Sequence, residues 1–84
     1  MSDELQMVLE SLKELGEDDS IPRNVRAKLN EMRSILKTDE TLSIRLNKAL
    51  SALEEVSEDT NIQPFTRTQI WGLASMLESI NASE

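Results

Sequence analysis

Two short acidic turns carry the side chains of this chain that are best suited to bind a metal ion. The first reads Glu17-Asp18-Asp19-Ser20 and the second reads Glu58-Asp59-Thr60-Asn61. Carboxylate oxygens are the ligands that Ca²⁺ and Mg²⁺ prefer, but neither turn has the glycine and the distal glutamate of an EF-hand loop. Two interpretations stay open. The turns are solvated helix caps, which we favour, or they form a regulatory site for a divalent cation or small ligand at 17–19 and 58–59.

An arginine follows each acidic turn, Arg26 after the first and Arg67 after the second. A guanidinium can bind an anion or a peptide group of a partner, or it can pair with a nearby carboxylate. We favour the structural role. We predict that Asp18 or a neighbouring acid contacts Arg26, and that Asp59 or Glu58 contacts Arg67. An exposed pair of this kind contributes only about 0–1 kcal/mol to stability.

The sequence offers no candidate for catalysis. It contains neither cysteine nor histidine, which removes thiolate nucleophiles and the commonest general base and metal ligand. The neighbouring acids Glu54, Glu55 and Glu58 are expected to form a solvated helix face, since nothing orients two carboxylates across a cleft. There is no glycine-rich phosphate-binding loop. We therefore predict a protein that is not an enzyme and that uses no cofactor or metal.

Trp71 and Gly72 are the residues that favour an interaction surface. Trp71 is the sole tryptophan and lies off the apolar stripe of its predicted helix. Gly72 lies in mid-helix, where glycine costs about 1 kcal/mol relative to alanine. An aromatic anchor beside a position of close approach is typical of interfaces, although Trp71 could equally cover the edge of a small core. Ile44 and Met7 also lie off their stripes, and they would form a patch with Trp71 only if the fold brought the three together.

Four amphipathic helices must position these residues. Apolar residues recur at helical spacing and predict helices at about 3–15, 22–37, 40–57 and 64–80. No segment of useful length alternates with period two, so we predict no sheet. The connections are short, and sequential helices should therefore be antiparallel neighbours.

The chain also repeats itself with a period of 41 residues, so that residues 12–36 correspond to 53–77. Identical pairs in this register include Leu12/Leu53, Glu14/Glu55, Asp18/Asp59, Ile21/Ile62, Arg26/Arg67 and Leu36/Leu77. A fixed internal period of this size predicts stacked supersecondary units. We predict an all-α single domain over 1–84. It would be a four-helix array or bundle of two duplicated antiparallel αα-hairpins, about 3–37 and 42–80, arranged as a HEAT-like pair of helical repeats.

Charge and composition narrow the partners. Asp and Glu number 16 against 9 Lys and Arg, which gives a net charge of −7. Nucleic acids and anionic membranes attract basic surfaces, so neither is an expected partner. The absence of cysteine favours the cytoplasm, no apolar stretch is long enough to span a bilayer, and the N-terminus lacks signal-peptide features. We expect a cytoplasmic protein that binds another protein or a second copy of itself.

At residues 17–26 and again at 66–71, the chain resembles a small archaeal family catalogued as uncharacterised protein family 0147. The resemblance covers nearly the whole chain. It implies an all-helical, soluble, cytoplasmic archaeal protein, and it implies no activity, substrate, cofactor or site residue. The leading functional hypothesis therefore comes from the residues themselves. It is a non-enzymatic interaction module that self-associates or docks a partner through the third and fourth helices.

Overall fold

Four α-helices account for most of the chain in the computed structural model, which describes residues 2–82. They are α1 (Ser2–Gly16), α2 (Arg23–Leu36), α3 (Leu42–Ser57) and α4 (Pro64–Ala82). No strand occurs within 2–82, which confirms the all-α prediction, and each helix boundary lies within two residues of the predicted one. No helix in this part of the chain is both long and apolar enough to cross a lipid bilayer.

The helices pack as a closed ring. Helix α1 contacts α2, α2 contacts α3, α3 contacts α4, and α4 returns to contact α1. Among the described residues, the backbones of the diagonal pairs, α1 with α3 and α2 with α4, do not come within 8 Å of each other between Cα atoms. A HEAT-like stack would place these equivalent helices side by side. The ring differs because each helix turns one apolar stripe towards a single common centre, which an up-down-up-down bundle with short turns satisfies.

The core lies along the centre of this ring and is built from the predicted stripes. Six of the fully buried large side chains occupy equivalent positions in the two halves, namely Leu12 and Leu53, Leu29 and Ile70, and Leu36 and Leu77. Ile21 and Ile62, one in each acidic turn, are also buried and extend the core to the end of the bundle. The four seams between neighbouring helices therefore surround one apolar interior.

The two acidic turns have the same local structure. The main-chain N–H of Ser20 donates to Oδ1 of Asp18 at 2.9 Å, and the N–H of Asn61 donates to Oδ1 of Asp59 at 2.8 Å. Aspartate commonly bonds the main chain two residues later in this way and so mimics a backbone turn. The same main-chain to side-chain hydrogen bond thus recurs 41 residues later, between residues that the register pairs.

Candidate functional site

Arg26 folds back over the turn that precedes its helix. Its Nε donates to the main-chain carbonyl of Ile21 at 3.0 Å, and its Nη1 lies 3.4 Å from the carboxylate of Asp19. Asp19 is 99% exposed, so this ion pair is screened by solvent and contributes little. The acid that Arg26 contacts is therefore Asp19, and the carboxylate of Asp18 instead accepts the hydrogen bond from Ser20 within the turn.

Arg67 occupies the equivalent place in the second half, but its partners are neutral. Its Nε donates to the main-chain carbonyl of Ser57 at 3.1 Å, and its Nη2 donates to the main-chain carbonyl of Asp59 at 2.6 Å. The guanidinium thus reaches the backbone of Asp59 and not the carboxylate that the sequence suggested, because that carboxylate already accepts the N–H of Asn61. Both nitrogens thus donate to main-chain carbonyls of the same protein, which indicates a structural role for Arg67.

A third arginine, Arg45, does the same for the turn between α2 and α3. It donates to the carbonyls of Leu36 at 2.7 Å and Glu40 at 2.8 Å. Arg26, Arg45 and Arg67 are each the fourth residue of their helix. Sequence analysis missed Arg45 because the register pairs it with Glu4, so no repeat of the arginine marks it.

The acidic turns bring no set of metal ligands together. Within residues 2–82, no group of three or more Asp, Glu, His or Cys side chains is arranged to hold a metal ion. Oδ1 of Asp18 accepts hydrogen bonds from both the hydroxyl (2.7 Å) and the main-chain N–H of Ser20. These bonds, the hydroxyl first, hold the pKa of Asp18 below its usual value, and the charge of Arg26 adds to the effect. The Asp18 carboxylate is engaged in the turn as an acceptor.

Within residues 2–82, four large apolar side chains are well exposed. Trp71 is 57% exposed, Ile44 45% and Met7 57%, and they lie on α4, α3 and α1 respectively. The fourth, Phe65, lies at the start of α4 and is the most exposed at 73%. Of these four side chains, Phe65 lines the cavity described next.

That cavity is an open groove of about 430 Å³ between α1 and α4. Its walls combine buried aliphatic side chains, the exposed Phe65 ring and acidic residues at the rim. We call it the α1–α4 groove, and its lining residues are Ser11, Glu14, Leu15, Asp18, Phe65, Gln69, Gly72, Leu73 and Met76. Gly72 belongs to the groove, whereas its neighbour Trp71 does not line it.

Gly72 lines the groove without a side chain, so it adds little to the groove's wall. A Cβ added at this position would meet no atom within 4 Å outside its own helix backbone. The fold therefore does not require glycine here for packing. A side chain at 72 would therefore begin in open space at a position that lines the groove.

The 41-residue register relates this groove to a second seam of the ring, between α2 and α3. There the opening is only about 80 Å³. We call it the α2–α3 cleft, and its lining residues are Asn24, Val25, Lys28, Glu55, Val56 and Asp59.

Two polar contacts close the α2–α3 cleft. Nζ of Lys28 lies 3.1 Å from Oε1 of Glu55, and Nδ2 of Asn24 donates to Oδ2 of Asp59 at 3.1 Å. Glu55 raises the pKa of Lys28 through this ion pair. The first contact joins α2 to α3, and the second joins α2 to the turn that follows α3.

The α1–α4 groove keeps the acids of the cleft but not their partners. Glu14 and Asp18 correspond to Glu55 and Asp59, whereas Gln69 stands where the cleft has Lys28 and Phe65 where it has Asn24. Neither Gln69 nor Phe65 bonds these acids, and among the described residues the carboxylate of Glu14 has no hydrogen-bond or ion-pair partner. The α2–α3 cleft is therefore bridged by two polar contacts. The equivalent α1–α4 groove lacks these contacts, stays open and has an acidic rim.

Sequence analysis did not identify Phe65, Gln69 or Met76 as site residues. The signal that could have found them is the set of mismatches in the repeat. Asn24 against Phe65, Lys28 against Gln69, and Glu31 against Gly72 all fall on this groove. Matches between the two halves indicate shared architecture, while these mismatches mark where the two halves differ.

Comparison with known proteins identifies relatives over the whole chain. Residues 1–80 match the model of an Uncharacterised protein family (UPF0147). A UPF0147 protein of Methanosarcina mazei is 39% identical over 84 residues, covering 99% of this chain and 90% of that protein. One from Archaeoglobus fulgidus is 40% identical over 77 residues (92% and 88%), and one from Sulfurisphaera tokodaii is 36% identical over 70 residues (82% and 79%). No solved structure matches the chain.

Proposed function

Because the chain belongs to the Uncharacterised protein family (UPF0147), whose description states no activity, we propose from the geometry that it is a non-enzymatic interaction module that docks a protein partner in the α1–α4 groove. The contrast between the two equivalent seams carries this proposal. The α2–α3 cleft is closed by Lys28 and Asn24, whereas the groove is about five times larger, 430 against 80 Å³. A difference at equivalent positions of one chain points to use at the open one.

The groove has the size and surface of a binding site. Binding clefts in proteins commonly measure about 300–1,000 Å³ and combine apolar walls with a few placed polar groups. Here Leu15 and Leu73 form apolar walls, Phe65 offers an exposed ring, and Glu14 and Asp18 supply the charge. The hydroxyl of Ser11 also lines the groove, but among the described residues no base forms a hydrogen bond with it, which favours docking over catalysis.

Self-association through α3 and α4 is a second form of the same proposal. Trp71 exposes 57% of its surface, and Ile44 exposes 45%. An exposed tryptophan is a common interface anchor because its burial on association is strongly favourable. This surface is separate from the groove, since neither residue lines it.

We further propose that the two hairpins are copies of one unit within a single cytoplasmic domain. The shared turn hydrogen bonds of Asp18 and Asp59 support this, as does the equal burial of Leu12 and Leu53. The absence of cysteine supports the location. Duplication explains how one seam could keep a closed form while its equivalent acquired a new use.

Site-specific cross-linking tests the docking site. A photoreactive phenylalanine replaces Phe65 in the full chain, and the matched control carries it at position 24, the equivalent place in the closed cleft. In native extract, we expect one discrete adduct at 65 and none at 24, and we expect adding Gly72→Leu to remove it by filling the groove. Equal labelling at both positions, or an adduct insensitive to Gly72→Leu, would overturn the groove as the docking site. An adduct with a second copy of the chain would make the partner a homo-oligomer.

A further inference from the structure

The polar contacts of the α2–α3 cleft indicate which group is missing at the equivalent positions of the α1–α4 groove. In the cleft, Lys28 on α2 reaches Glu55 on α3 at 3.1 Å, within a single chain. The pKa of Lys28 is raised, because the charged lysine is stabilised by that carboxylate. Glu14 occupies the place of Glu55 in the groove, and the neutral Gln69 occupies the place of Lys28. The missing group is therefore a cation at the end of a flexible side chain.

The charges around the groove agree with this. Its two charged lining residues, Glu14 and Asp18, are both acidic. The whole chain carries a net charge of −7, which attracts positively charged partners and raises their association rate. A basic partner is thus favoured both at long range and at contact.

The apolar walls define the rest of the partner. Phe65, Leu73 and Met76 follow α4 along the groove, and the stretch from 65 to 76 measures roughly 16 Å at 1.5 Å per residue. This is the length of about three helical turns, and an amphipathic helix lays its apolar face into a groove of this kind. Gly72, with open space in front of its Cα, allows that helix to approach closely.

We propose that the α1–α4 groove binds a basic amphipathic helix of a partner protein, with apolar side chains against Phe65 and Leu73 and a lysine or arginine paired with Glu14. This inference rests on the proposed docking function and specifies the chemistry of the partner. The partner helix supplies in trans the cation that α2 supplies to the cleft in cis.

A pair of synthetic peptides tests the charge of the partner. The basic probe is an acetylated, amidated peptide of about 14 residues, with leucines at i, i+3, i+4 and i+7 spacing and lysines on the other face. The acidic probe has glutamates in place of the lysines. Each is titrated into the ¹⁵N-labelled full chain while amide shifts are followed by NMR. We expect the basic probe to shift amides lining the groove and to spare those of the α2–α3 cleft, and the acidic probe to shift neither.

Two variants test the position of the contact. Glu14→Gln should weaken binding of the basic probe about three- to fivefold, the loss expected of a partly solvated ion pair. The matched control, Glu54→Gln, removes the same charge from the exposed face of α3 and should change affinity less than about twofold. The double variant Phe65→Asn with Gln69→Lys copies the closed cleft into the groove. It should stay folded, because both positions are exposed, and should weaken binding at least about tenfold.

The outcomes separate this inference from the docking function on which it rests. If the acidic probe binds the groove as tightly as the basic one, the basic partner is wrong while docking stands. The basic probe could instead shift amides on every acidic face and bind the double variant Phe65→Asn with Gln69→Lys as tightly as the unsubstituted protein. Its binding would then be non-specific attraction, and the inference would be wrong. If neither probe shifts groove amides, the inference is also wrong, and cross-linking at position 65 then decides whether the groove docks any protein.

Discussion

Arg67 donates from Nε to the main-chain carbonyl of Ser57, the last residue of α3, across the turn between α3 and α4. The final carbonyls of a helix have no partner within the helix, and their partial negative charge favours a cation. A second bond, to the carbonyl of Asp59, fixes the turn that follows. One side chain therefore both ends α3 and positions the start of α4, where Phe65 lies.

We expect Arg67→Ala to lower the free energy of unfolding by about 1–3 kcal/mol, because two half-buried carbonyls lose a charged donor. Urea denaturation monitored by circular dichroism measures the loss. The loss should persist in high salt, since both acceptors are neutral. The control is Asp19→Ala, which removes a 99% exposed partner of Arg26 and should change stability by less than about 0.5 kcal/mol. Equal effects of the two substitutions would contradict the turn-fixing role of Arg67.

Gly72→Ala should stabilise the free protein by about 0.5–1 kcal/mol, because alanine restricts the unfolded chain and the added methyl meets no neighbouring atom. Thermal melting measures the gain. Gly16→Ala, at the end of α1, is the control. There the added methyl would overlap the side-chain oxygen of Asn30, so the gain should shrink or reverse. A destabilised Gly72→Ala would mean that the helix packs more closely at this position than the structure indicates.

Asp18 should make the stability depend on pH in the acid range. Its pKa is lowered in the folded chain by the bonds from Ser20, so the ionised form is the one that stabilises the fold. This contribution is present above the ordinary pKa of 3.8 and is lost as the pH falls through the lower folded value. Asp18→Asn should therefore melt below the unsubstituted protein at neutral pH, and the gap should narrow below about pH 3.8.

Ser20→Ala serves as the control for the Asp18 prediction, since it removes the hydroxyl that contributes most to the lowered pKa of Asp18. In a Ser20→Ala background, Asp18→Asn should produce a smaller gap at neutral pH. A gap that stays constant from pH 7 to pH 3 would show that the aspartate acts by shape and not by charge.

Trp71 should report its own environment, because it is the sole indole of the chain. Its 57% exposure predicts red-shifted emission from a dilute monomer, and Trp71→Ala should change monomer stability by less than about 1 kcal/mol. If the chain associates through α3 and α4, emission should shift to the blue with rising concentration before any change in helicity, and Trp71→Ala should remove the shift. Blue, concentration-independent emission and a loss of about 3–5 kcal/mol in Trp71→Ala would place this residue in the core.

Periodicity predicted the helices and most of the core, because a stripe such as that containing Leu12 and Leu15 must be buried whatever the topology. The short connections predicted that sequential helices are neighbours, but nothing in the sequence predicted that α4 closes on α1. A layered stack and a closed ring bury the same stripes, and only the ring brings α4 against α1. The α1–α4 groove could not be predicted from the sequence for the same reason. Phe65 and Asp18 line one cavity only once α4 is known to close on α1.

The connectivity of the helices distinguishes the seam between α1 and α4 from the other three. Three seams join helices connected by a short turn, so their contacts form early and re-form quickly after a fluctuation. The seam of α1 with α4 has no turn across it and unites segments about fifty residues apart, as Asp18 and Phe65 are. Its closure carries the largest loop-closure entropy of the four. The seam with the groove is thus the one that the chain connectivity restrains least, and a ligand bound across α1 and α4 would stabilise the folded bundle by its free energy of binding.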